Sequence, residues 1–290
     1  MPDHDAAMTW VDPIRDALFF RHEAMNTEFA FRFVGVAERN AAGIARLCGE
    51  MLDTLEAQLS RYLPDSEVSR INQLQAGETL YLSQTTYACL RLALEASEHT
   101  GGLFDITQGA RIGHRKSGSS DCAPQPTGSL ILHPDAPAVT CTQPGLILDL
   151  GGIGKGFALD QLAELLADWG VQDALLTAGS SSMLAIGSSQ WPIELTGSSD
   201  RETIRLCNQA LSASGSGIQG AHIIHPAGDD AMPASPASRV WVVAKHAAYA
   251  EIWSTALMLV APDDVCPIVA GDPDLTSIHI EHLGTIRQLK

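Results

Sequence analysis

The chain has 290 residues, of which 45% are apolar and 18% charged. That is enough to bury about 75% of the unfolded chain's surface, and too apolar for a disordered chain. Eighteen basic residues against 34 acidic ones leave a net charge of −16, which repels phosphate backbones and argues against nucleic acid as a partner. A single bound nucleotide is compatible with this charge, because one metal ion and one Lys reverse the local field.

The N-terminus, MPDHDAAMTW, is acidic and lacks the basic and apolar regions of an export signal, so the protein is predicted to be cytoplasmic. No apolar run approaches the roughly 20 residues of a membrane span. Thr27 to Val34 alternates apolar and polar residues and predicts a strand. From Arg39 to Leu59 apolar residues recur at threes and fours, the stripe of an amphipathic helix. Leu59 to Asn72 reads as a polar loop with a Pro64-Asp65 turn. Ser83 is the expected N-cap of a helix running to about His99, where Gly101 and Gly102 stop it.

Ser117 to Pro144, rich in Ser, Gly and Pro, reads as a long surface excursion and the least structured part of the chain. Leu146 to Leu150 is predicted as a short strand feeding a glycine turn, followed by a helix over Phe157 to Trp169 closed by Gly170. Val171 to Ile186 suggests strand–turn–strand, Arg239 to Val243 a strand, and Ala247 to Val260 a helix. The absence of a strict βαβ rhythm favours α+β, as one large domain or two lobes. The six cysteines are scattered with no C-x-x-C pair, and are expected as small buried apolar residues rather than a disulfide framework.

Four clusters carry candidate chemistry. Gly215, Gly217 and Gly220 match G-x-G-x-x-G, but Ser212-Ala213-Ser214 precedes them and the β-like His222-Ile223-Ile224 follows, so a flexible loop is favoured over a dinucleotide fold. Gly151 to Gly156 (GGIGKG) follows the predicted strand and opens a helix. Its glycines and helix-start N–H groups suit phosphate oxygens, and a tight structural turn is the equal alternative. Glu251 and Thr255, four apart, share a helix face. They read either as oxygen ligands for a hard cation such as Mg²⁺ or as a surface pair. His222 and His225 fall on opposite faces of an extended segment, so they are poor joint metal ligands; either is a candidate acid–base group or a structural histidine. G-x-S-x-G, H-E-x-x-H and C-x-x-C are absent.

Taken in order, these segments resemble the FAD:protein FMN transferases of the ApbE type. The resemblance rests on Met25-Asn26-Thr27, on SRYLPDSEVSRIN from Ser60 to Asn72, and on GGLFDIT from Gly101 to Thr107. It continues through the D-L-G-x-I-x-K-G-x-x-x-D pattern of Asp149 to Asp160, then His222 to Pro226 and Glu251 to Ala256. It implies an α+β fold of mixed sheets flanked by helices, two-lobed with a flavin cleft. Residues 1–24 would be an N-terminal extension and 25–290 the transferase domain. It also implies transfer of FMN from FAD to a Thr or Ser hydroxyl of an acceptor protein, with Mg²⁺ and release of AMP.

By position, Met25, Tyr62, Leu103, Phe104, Asp105, Asp149, Lys155 and Ile224 would line the FAD site. Gly152, Glu251, Ser254 and Thr255 would hold Mg²⁺, and His222 would be the base with Lys155 beside it. The chain departs from the family pattern at Glu251 (for Asp), Ser181 (for the Asp of Gly-Gly-Asp), His225 (for Asp) and Ala213 (for Thr). Two alternatives follow: an FAD pyrophosphatase giving FMN and AMP, or a non-catalytic FAD-binding protein.

Overall fold

The computed structural model describes residues 7–10, 16–118, 121–215 and 223–290. The chain opens with β1 (Met8–Trp10) and a hairpin of β2 (Leu18–Ala24) and β3 (Thr27–Val34). At the hairpin turn Met25 and Asn26 both lie in the left-handed region, φ 52° and 56°. A two-residue turn of that kind matches the twist of the flanking strands. Then come α1 (Glu38–Leu59), α2 (Glu67–Ile71), β4 (Thr79–Tyr81), α3 (Gln84–His99), α4 (Gly109–Lys116), β5 (Ser129–Leu132) and β6 (Ala138–Gln143). The second half runs α5 (Gly154–Asp168), β7 (Asp173–Ala178), β8 (Ser182–Ile186), β9 (Trp191–Thr196), β10 (Arg201–Leu206) and β11 (Ala210–Gly215). It closes with β12 (Arg239–Ala244), α6 (Ala247–Leu257), α7 (Val265–Val269), β13 (Leu275–His282) and β14 (Thr285–Gln288).

The α+β expectation holds. An eight-stranded sheet runs β14-β13-β12-β11-β8-β7-β3-β2, with every neighbouring pair antiparallel. Helices α1, α5 and α6 cover one face, where Phe29, Phe31 and Phe33 of β3 are fully buried. The three-stranded sheet β1-β9-β10 covers the other around Trp191 and Trp241. Residues of the first 24 thus belong to both sheets: β1 pairs with β9, and β2 with β3. A third sheet, β4-β6-β5, lies beside α3, whose Tyr87 hydroxyl donates to the His133 carbonyl.

Several local readings are corrected. The Ser117–Pro144 stretch carries β5 and β6, which pair with each other, and β6 also pairs with distant β4, which local composition could not reveal. The loop after α1 contains α2, N-capped by Ser66, whose hydroxyl accepts from the Ser69 N–H. Leu146 to Leu150 forms no strand; it makes one isolated bridge, Ile147 to Gln108. Its backbone is satisfied elsewhere: the Asn72 amide bonds both the N–H and the C=O of Leu148, and Asp149 N–H donates to the Ile106 carbonyl. Helix α5 starts earlier than expected, at Gly154, and α6 ends earlier, at Leu257. Ile223 to His225 are not strand. Only Cys48, Cys89 and Cys141 are buried; Cys122 and Cys266 are exposed and Cys207 is half-buried.

Ser83 caps α3 as expected, and Gly101 and Gly102 follow it with φ 61° and 82°. Gly170 ends α5 in the left-handed region, φ 71°, and β7 and β8 form the expected strand–turn–strand.

Candidate functional site

The Ser60–Asn72 segment is a brace. Ser66 Oγ donates to the Ser60 carbonyl, and Ser69 Oγ to the Arg61 carbonyl. Glu67 accepts from the Ser83 N–H and hydroxyl, and Asn72 grips Leu148. This network presents Arg61 and Tyr62 opposite the turn that begins at Asp149. Arg61 Nε lies 2.8 Å from Asp149 Oδ2, with the two side chains 11% and 9% exposed. The contact misses hydrogen-bond geometry, so the pair is held by charge. The other Asp149 oxygen accepts from the Gly151 N–H.

The Asp149–Asp160 segment is tied to α6 at three points. Lys155 Nζ donates to Glu251 Oε1 at 2.5 Å, and the Gly156 N–H donates to Oε2 at 2.6 Å. Asp160, one turn on, accepts from the Ala247 and Ala248 N–H groups and so caps α6 from a neighbouring helix. Burial raises the Asp160 pKa above its ordinary value, against the lowering pull of those N–H groups and His246. At Gly156 close helix contact forbids a side chain, since a Cβ would meet the Ala247 carbonyl oxygen at 2.3 Å.

Lys155, Glu251 and Thr255 open into a small pocket of about 120 Å³, with Leu103, Phe104, Asp105, Asp149, Gly152 and Ile224 on its walls. Behind them Ser214 Oγ lies 3.0 Å from Ser254 Oγ and 3.4 Å from Thr255 Oγ1. The same wall, through Asp149, Gly151, Lys155 and Ser181, borders a wide cleft of about 1240 Å³ lined by Met25, Tyr62 and Arg32.

Tyr62 is 65% exposed, with Arg61 and Lys116 over its ring at 4.9 and 5.6 Å. Its hydroxyl accepts from Lys116 Nζ at 3.1 Å and Arg61 Nη2 at 3.3 Å. Desolvation alone would raise the phenol pKa, but these two cationic donors outweigh it and hold the pKa below its ordinary value.

The structure therefore gathers Leu103, Phe104, Asp105, Asp149, Gly152, Lys155, Ile224, Glu251 and Thr255 around one pocket, and Met25 and Tyr62 around the adjoining cleft. Ser254 is buried behind the pocket, its hydroxyl donating to the Glu251 carbonyl. His222, with Gly217 and Gly220, lies outside the described residues. His225 holds its own turn, its Nδ1 accepting from the Ala227 N–H. Among the described residues no group of three or more His, Cys, Asp or Glu side chains could hold a metal ion.

Sequence reasoning missed Arg61, Lys116 and a relay beneath Asp105. Asp105 accepts from Gln108, Gln108 from Arg111, and Arg111 donates to the His225 and Pro226 carbonyls. Arg61 sits at an unspecified position of the Ser-x-Tyr pattern, and nothing marks the basic end of α4 as facing the site. The oxygens at the α6 face suit a hard cation. Glu251 retains lone pairs beyond its two hydrogen bonds, and the Ser254 carbonyl lies in the last turn of α6, where helix carbonyls lack intrahelical partners.

The sequence profile described as the ApbE family matches residues 25–278. The chain belongs to the ApbE family. Relatives include FAD:protein FMN transferases of Klebsiella pneumoniae (25% identity, covering 91% of this chain and 85% of the relative) and Salmonella typhimurium (25%, 85% and 79%). Its fold is similar to that of the Vibrio cholerae flavin transferase ApbE (TM-score 0.77, 20% identity, 94% of this chain and 96% of that one). The Thermotoga maritima ApbE protein is also similar (TM-score 0.78, 22% identity, 94% and 97%). Glu251, expected as a departure from the family pattern, reaches Lys155 and the Gly156 N–H with its carboxylate. Ser181 forms part of the wall shared by the two cavities. No helix among the described residues is long and apolar enough to cross a membrane.

Proposed function

We propose that this chain transfers FMN from FAD to a Thr or Ser hydroxyl of an acceptor protein, with Mg²⁺ and with release of AMP. The observation that carries the reading is a single wall. It joins a glycine-opened helix start, a Lys–carboxylate pair and a hydroxyl cluster to a cleft with an exposed Tyr at its rim.

In this reading the Tyr62 ring and Met25 flank the flavin, and the glycines of the Gly151–Gly156 turn let the diphosphate approach the backbone closely. Lys155 places a positive charge against the same oxygens. Glu251, Thr255 and the carbonyls of Gly152 and Ser254 would hold the metal, which when bound neutralises charge developing on the phosphoryl group. The acceptor oxygen forms a bond to the FMN phosphorus as the bond to the AMP oxygen breaks. The hydroxyl proton passes to a base, for which His222 is the candidate, and AMP leaves. The cramped pocket and the brace of Arg61 against Asp149 keep the reacting groups positioned.

The test is incubation with FAD and Mg²⁺, with and without EDTA and with an extract supplying acceptors. AMP and FMN are followed by chromatography, and covalent flavin by fluorescence on a denaturing gel. EDTA-sensitive AMP together with a fluorescent protein band is the expected result. AMP with free FMN and no band would replace the transferase reading with a pyrophosphatase. FAD recovered unchanged throughout would replace it with flavin binding alone.

A further inference from the structure

Among the described residues four cationic side chains line the wide cleft: Arg32, Arg61, Lys116 and Lys155. Arg61 faces Asp149, Lys155 faces Glu251, and Lys116 donates to the Tyr62 hydroxyl. Arg32 is different. Its guanidinium lies over the rings of both Trp10 and Phe19, 4.3 and 4.6 Å from their centroids. Its Nε and Nη1 are buried with no hydrogen-bond partner, and no ion pair reaches it from the described residues. The carboxylate of Glu28 acts on it only at longer range and pairs directly with Arg21.

Buried N–H groups in folded proteins almost always have a partner, and an orphaned charged donor is costlier still to bury. The two ring contacts restrain the guanidinium, and a guanidinium with N–H donors still unpaired suits the oxygens of an anionic group. Trp10 comes from β1 and Phe19 from β2, so two elements of the fold converge to hold this side chain in place. Among the described residues no side chain hydrogen-bonds or ion-pairs with it.

We propose that Arg32 is an oxyanion-binding residue of the wide cleft, taking a phosphate or carboxylate group of a ligand that occupies it. The site stands on its own geometry; only the source of the oxyanion rests on the transferase reading. That reading offers two sources, the FAD diphosphate or a carboxylate on the acceptor.

Trp10 fluorescence, isolated by difference against Trp10→Phe, reports on its stacked partner, and diphosphate and glutarate serve as the probes. A saturable change with at least one probe is expected, weakened at least tenfold in Arg32→Met. Arg32→Lys keeps the charge without the fork and should fall between; it also carries the test if Arg32→Met does not fold. A response to diphosphate, with FAD affinity reduced in Arg32→Met and riboflavin affinity unchanged, assigns a phosphate. A response to glutarate with FAD affinity intact assigns a carboxylate of the second substrate. Equal responses in full chain and variants, or none to either probe, would overturn the proposal whether or not the protein transfers flavin.

Discussion

Glu251 is nearly fully buried, and both its oxygens are engaged, one by an ammonium and one by a backbone N–H. Breaking such a pair from one side leaves the other charge uncompensated, at about 3–5 kcal/mol. Glu251→Ala should therefore destabilise by about 3 kcal/mol in urea unfolding. Glu251→Gln, which can still accept from the Gly156 N–H, should cost less while lowering AMP release at least about 100-fold. Adding Lys155→Met to Glu251→Gln should recover stability by about 1 kcal/mol without restoring turnover, the signature of a coupled pair. Additive losses would mean that the two side chains do not act on each other. At Tyr62, Lys116→Met removes one of the two cationic donors that lower the phenol pKa, so that pKa should rise towards its ordinary value near 10. A lowered phenol pKa favours the folded state in full above the unfolded value. That contribution is lost as pH falls through the folded value, so the variant's loss of stability should shrink as the pH is lowered. Ultraviolet titration read against Tyr62→Phe measures the change; Tyr249, pushed up to about 12 by burial and by Asp272, stays out of the window.

At the scale of elements, the α5–α6 junction decides whether the site exists. Asp160→Ala strips two N–H groups at the start of α6 of their acceptor, costing about 2 kcal/mol. It should also reduce transfer, because Glu251 and Thr255 ride on that helix. Circular dichroism on melting and the AMP assay check the two effects together; unchanged turnover in a destabilised protein would uncouple the cap from the site. This junction was legible in the chain as a motif, but the physical role of each position was not. Asp149, Lys155, Gly156 and Asp160 meet an ion pair, a carboxylate, a neighbouring backbone and a foreign helix end, all supplied from distant residues. Helices α1, α3 and α5 were readable because amphipathic spacing, the Ser83 cap and Gly170 are local signals. β5 and β6 were not, because short strands in Ser- and Pro-rich surroundings are specified by the partner they find. Leu146 to Leu150 misled for a related reason: an apolar run reads as a strand until the Asn72 side chain takes its backbone bonds. Arg111 was invisible altogether, since beyond Gln108 it reaches carbonyls more than a hundred positions away.

The whole molecule is strongly acidic, with a net charge of −16, yet among the described residues four cations line its wide cleft beside Glu28, Glu56 and Asp149. One of those cations depends on the first strand for its setting. The family profile begins at residue 25, but β1 lies well before it, with Ala7 and Met8 at 0% and 1% exposure against the second core. Buried Trp241 donates its indole N–H to the Ala7 carbonyl at 2.9 Å, and β1 runs antiparallel along β9 from Met8 opposite Leu195 to Trp10 opposite Ile193. Deleting residues 1–16 would uncover that apolar surface, orphan the Trp241 N–H and leave one strand of a three-stranded sheet without its neighbour. Area and hydrogen-bond terms together amount to about 5 kcal/mol, which for a chain of this size lowers Tm by roughly 10 °C. Calorimetry should find that loss, and near-ultraviolet dichroism should show the Trp241 environment altered. An unchanged Tm would mean that the first strand is an appendage; the expected fall would make it part of the fold and of the cleft wall that holds Arg32.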